Sequence, residues 1–128
     1  MKYPLKPKST SYMEQGQFWA IPIGEDRYSC GVVLALVSNG DKRDSRMFLA
    51  GLLNWFGHSL PNTEQLNGSS VLNKGFAHIK TITETGGEIL GKIDSDLGCP
   101  PIVMDTDEIA TWGYNSIAIK SAKQYAGS

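Results

Sequence analysis

A chain of 128 residues with 41% hydrophobic content is the size of one domain and is long enough to bury a core without disulfides or metals. The formal net charge is −1, which counts against generic DNA or RNA binding, because nucleic-acid binders carry a basic domain or stripe. No stretch approaches the roughly 18 apolar residues of a membrane span, and the opening MKYPLKPKSTSYMEQG lacks a secretory pattern, so a cytoplasmic protein is expected.

Residues 1–15 are basic, contain Pro4 and Pro7, and read as an extended arm that can pack Tyr3, Leu5, Tyr12 or Met13 against the domain. The strongest structural signal follows. Gln17–Ile23 and Arg27–Val37 are rich in aromatic and branched residues and are separated only by Gly24-Glu25-Asp26, the spacing of a short-looped hairpin. In the second segment Tyr28, Cys30, Val32, Leu34 and Leu36 share one face, which alternation assigns to the core. Pro22 has no N–H for a ladder bond, so the first strand belongs at a sheet edge or Pro22 at its irregular end.

Ser38–Asp44 is a polar turn cluster with an Asn39-Gly40 step. Arg46–Phe56 is nearly all apolar, and its central Gly51 and aromatic end favour a strand over a helix. Gly57–Asn73 is loop-like, with one helical turn expected over Asn62–Leu66, where Asn62 caps and Gln65 stands at the matching third position. Gly75–Thr83 has β-type composition, but Phe76, Ile79 and Ile82 fall at spacing three, which leaves a bulge or a helical turn open. Gly86-Gly87 then makes Glu88–Ile93 a partner for a second hairpin. Past the rigid Pro100-Pro101, Ile102–Met104 reads as a short strand. In Ser116–Tyr125 Ile117 and Ile119 alternate as in a strand while Ala118, Ala122 and Tyr125 follow helical spacing; a cap at Asn115 or Ser116, basic Lys120 and Lys123 toward the end and Gly127 beyond it favour a short terminal helix. The fold class that results is mainly β, a β-rich α+β domain. It is a small twisted antiparallel sheet or partial barrel with a C-terminal helix, spanning 16–128 behind the arm.

Catalytic and metal-binding patterns are largely missing. His58 and His78 have no Cys or second His at ligand spacing. Asp94-Ser95-Asp96 and Asp105-Thr106-Asp107 have the first alternation of a calcium loop, without its turn glycine or distal Glu. No Ser lies in a GxSxG turn, Cys99 with either His is an undirected combination, and no glycine loop has phosphate-binding spacing. No cofactor is implied. Cys30 and Cys99 form no CxxC pair and are expected to be reduced thiols, Cys30 in the core.

Charge is distributed unevenly. Between Ile93 and Ile119 stand five acids (Asp94, Asp96, Asp105, Asp107 and Glu108) and no Lys or Arg, a block of −5 against the +4 left by twelve basic and eight acidic residues elsewhere. Such a block is either a solvated loop region or an electrostatic docking surface for a basic partner. Most aromatics of a small β domain are core. Trp19, on the strand face opposite Phe18 and beside the edge-forming Pro22, is the candidate for an exposed contact anchor, with Trp112 a second one.

The string GQFWAIPIGEDRYSCGVVL, with Asn54-Trp55-Phe56-Gly57-His58, the Gly75–Ile82 stretch and Thr111-Trp112-Gly113-Tyr114, resembles the immunity protein 26 family of bacterial polymorphic toxin systems. The resemblance implies a mostly β, cytoplasmic, non-enzymatic protein that protects its producer by binding a cognate toxin. It carries over no catalytic residues. If the toxin is a basic nuclease, the acidic block is the docking candidate, with Trp19 and Trp112 as anchors. Two other readings compete. One is a small-barrel module in which Trp19, Trp55 and Trp112 line a groove for a peptide or single-stranded nucleic acid. The other is a hydrolase using His58, His78 or Cys99, which no motif supports.

Overall fold

The computed structural model describes residues 2–104 and 109–126. Its centre is a three-strand meander: β1 (Gln17–Gly24), β2 (Arg27–Asn39) and β3 (Lys42–Gly57), paired antiparallel in that order. The first turn uses Gly24 and Asp26 at positive φ, and the second uses Gly40, so both reversals fall where the turn residues placed them. β3 is a strand throughout. Pro22 lies where β1 has no neighbour on its outer side, at a register irregularity between Pro22 and Gly24, so its missing N–H costs no ladder bond.

A helical turn, α1 (Thr63–Leu66), follows, with reciprocal bonds between Asn62 and Gln65 closing a capping box. β4 (Val71–His78) pairs with β3, and a second turn, α2 (Lys80–Thr83), ends at Gly86-Gly87. The expected second hairpin does not form. The spacing of Ile79 and Ile82 is helical, Ile82 is buried in that turn, and the Gly87 N–H closes back on the Ile82 carbonyl at 2.8 Å. The following β5 (Gly91–Lys92) crosses to the other side of the sheet and pairs with Gln17 and Phe18 of β1. β6 (Ile102–Met104) lies parallel to β2 at Leu36–Ser38, on the side that β1 vacates, and α3 (Ser116–Gln124) closes the described chain. The sheet order is β4-β3-β2-β1-β5, open and antiparallel apart from β6.

Alternation predicted one buried face for β2, and the structure buries both. Trp19, Ile21, Val33 and Phe48 pack with Met13, Ile82, Trp112 and Ile117 on one side, under the arm, α2 and α3. Phe18, Val32, Leu34 and Leu49 pack with Leu66, Ile93 and Val103 on the other, under α1 and the chain leading into β6. Cys30, Val32 and Leu34 share a face with Ala35 and Val37 because the register shifts between Val33 and Ala35, which inserts one residue and reverses the alternation. Tyr28, assigned to the core face, is only half-buried at the strand's open end.

Candidate docking surface

The connection between β5 and β6 carries the described part of the acidic block. Asp94 and Asp96 are exposed there. Asp96 turns one carboxylate oxygen back to accept the Gly98 N–H at 2.8 Å, and Ser95 accepts from the Gly68 N–H at 3.2 Å, so the loop is held at both sides. Asp105, Asp107 and Glu108 lie outside the described residues. Asp94 borders an open groove of about 470 Å³ between the end of the arm and β6, where Glu14, Arg43, Lys92 and Ile102 also stand. Lys92 bonds Glu14 at 3.1 Å, and that hydrogen bond, more than the nearby Asp94 charge, holds the ammonium above its ordinary value. The strand alternation of β6 turns Val103 into the core and leaves Ile102 53% exposed on the groove and Met104 41% exposed two residues beyond it. On the arm side Tyr12 is 72% exposed, while Met13 is buried. The sequence signal for the exposure of Ile102 and Met104 is the outward phase of a three-residue strand around Val103.

Both proposed tryptophan anchors are core residues. Trp19 is completely buried: its ring meets Phe48 edge-on at 6.0 Å, its Nε1 donates to Thr85 Oγ1 at 3.0 Å, and its benzo ring lies over Gly31, where a Cβ would overlap it. The face opposite Phe18 is not solvent but a second core, under the arm and two helices. Trp112 is also buried, lying over Gly75 with its N–H bonded to the Phe76 carbonyl through the backbone. Trp55 packs against the opposite core, so the three indoles line no common groove, and the sheet is not a closed barrel.

The three candidate hydrolytic side chains are engaged separately. His58 Nδ1 is 3.2 Å from the Asp26 carbonyl, and its ring meets Phe56 edge-on. Cys99 donates to the Leu34 carbonyl at 3.2 Å, and burial pushes its thiol up. Cys30 is buried and held far above the ordinary thiol range by desolvation. His78 accepts the Lys80 N–H on Nδ1 at 3.1 Å and faces Tyr114 at 5.4 Å. Burial first, then the charges of Lys80 and Arg46, lower its pKa. Among the described residues no three His, Cys, Asp or Glu side chains converge to hold a metal ion. No described helix is long and apolar enough to cross a membrane.

Comparison with known proteins gives one finding. No curated protein and no solved structure matches the chain. The family model of Immunity protein 26 matches residues 14–111, which takes in the β1–β2 hairpin, the Asn54–His58 stretch and β4, and stops just before Trp112. With most of its length matched, this chain belongs to the Immunity protein 26 family.

Proposed function

We propose that this protein is the cytoplasmic, non-catalytic inhibitor of a toxin, and that it acts by occupying a surface of the toxin domain. The observation that carries this reading is the family match, which gives an immunity function to a chain whose His and Cys side chains are spread apart. Inhibition by occlusion requires a rigid scaffold and a complementary face, and no reacting group. The two-sided core supplies the scaffold. For the face, Asp94 and Ile102 stand exposed on one groove, with Asp96 and Met104 exposed two residues further along their segments, an arrangement of charge that steers and apolar surface that holds. Asp105, Asp107 and Glu108 extend the same acidic run in the sequence. The partner this block suits is a basic protein such as a nuclease domain. Trp19 and Trp112 take no part in the contact in this reading.

The test is charge reversal, Asp94→Lys with Asp96→Lys, and separately Asp105, Asp107 and Glu108 to Lys together, assayed for binding to the toxin domain that the wild type neutralises, sought first among the products of the adjacent genes. The expected result is a slower association rate and a weaker salt dependence for each set, with dissociation changed less. Unchanged association for both sets removes the acidic block from the interface.

A further inference from the structure

A second charged surface, of opposite sign, surrounds His78. Arg46 leaves β3 exposed and is anchored by its guanidinium, which donates to the Lys8 carbonyl at 3.1 Å. Lys80 is exposed at the start of α2, two residues beyond β4, with its ammonium 5.4 Å from the centre of the Tyr114 ring. The same ring packs against His78. The neighbouring carboxylate, Asp44, has one oxygen occupied by the N–H groups of Arg46 and Met47, both at 2.8 Å. Among the described residues the one ion pair is Glu14–Lys92, so neither Arg46 nor Lys80 has a carboxylate partner. Because His78 Nδ1 accepts the Lys80 amide, its neutral ring carries the proton on Nε2 and offers a donor there. Tyr114 remains 41% exposed between these groups. The fold therefore fixes two cations outside any ion pair, one ring N–H and one aromatic surface, with the single Asp44 carboxylate, whose charge also reaches His78, as the opposing charge.

Charge complementarity calls for an anionic occupant. A nucleic acid presents a long row of phosphates and needs several Lys or Arg along its track. Here the patch is short, the whole chain has a net charge of −1, and Arg and Tyr are residue types enriched at the energetic centres of protein contacts. We propose that Arg46, His78, Lys80 and Tyr114 form a docking patch for a carboxylate-rich segment of the protein partner, which rests on the toxin-binding reading for that partner's identity. Docking then uses two surfaces of opposite sign, with the partner presenting its basic residues to Asp94 and Asp96 and its acidic residues to this patch.

Two titrations of the full chain test this. In the first, an isotope-labelled sample is titrated with a glutamate-rich decapeptide and, separately, with single-stranded DNA of the same charge. The peptide is expected to shift the backbone resonances of residues 46, 78, 80 and 114, and Arg46→Glu with Lys80→Glu is expected to abolish the shifts. Absence of localised shifts, or the same shifts produced by DNA at lower concentration, overturns the proposal. In the second, the toxin domain is titrated against the wild type, this double variant and the neutral pair Arg46→Gln with Lys80→Gln. Both pairs are expected to bind at least about tenfold more weakly, the reversed pair more so than the neutral one. Full affinity in both pairs overturns the patch and leaves the toxin reading standing. A wild type that binds no toxin overturns the toxin reading and the assigned partner with it.

Discussion

Trp19 and Gly31 form a size-matched pair, and a double-mutant cycle on them measures how the first core is built. Trp19 is completely buried, and Gly31 leaves the space that its benzo ring fills. Trp19→Ala removes a large buried ring and is expected to cost about 3–5 kcal/mol. With an unfolding entropy near 2.1 cal/mol/K per residue, a chain of 128 residues loses about 3.7 °C of Tm per kcal/mol, so the melting point falls by roughly 11–19 °C. Gly31→Ala places a methyl group against the ring and is expected to cost about 1–3 kcal/mol, less a small gain from restricting the unfolded chain. In the double variant that methyl group occupies vacated space, so the total should stay near the Trp19→Ala value. The coupling then offsets about 1–2 kcal/mol of the summed single effects. Urea unfolding of the four proteins reads this directly. Additive losses, or a neutral Gly31→Ala, would refute the packing argument. A stable Trp19→Ala protein that had lost its partner would restore Trp19 as an exposed anchor.

Three further outcomes follow from local chemistry. Asn62→Ala removes one half of the capping box and should cost about 1 kcal/mol by chemical unfolding, with the β-rich circular dichroism spectrum unchanged. For His78, a folded pKa below the ordinary 6.5 means that the unfolded chain binds the proton more tightly, so stability is fully present above pH 6.5 and falls as pH drops through the folded pKa. His78→Asn should flatten that dependence between pH 7 and 5, and an imidazole titrating above 6.5 by NMR would contradict the assigned environment. Thiol labelling of the native protein should modify Cys99 slowly and Cys30 only on unfolding, because both thiols are raised and Cys30 is buried. Equal native rates at the two sites would contradict the placement of Cys30.

Local signals in the sequence carried the meander, because branched residues, Pro22 and the Gly24 and Gly40 turns act on their own neighbours. The same holds for the Asn62 cap. Contacts between distant segments were not legible. Gly86-Gly87 looked like a hairpin turn, yet β5 pairs with β1, some 70 residues upstream, and β6 joins β2. The burial of Trp19 followed from cover supplied by the arm, α2 and α3, which no alternation within β1 encodes. At the surface, the exposure of Asp94 and Asp96 was readable from a run of polar residues in a loop. The patch at Arg46, His78, Lys80 and Tyr114 was not, since three separate segments converge to make it.

The most direct measurement is a titration of the toxin domain's activity with this protein at a toxin concentration well above Kd. Linear loss of activity reaching completion at one equivalent is expected, with a stable complex recovered by size-exclusion chromatography. Sub-stoichiometric inactivation with turnover would show a catalytic antidote, and undiminished activity at several equivalents would contradict inhibition by binding.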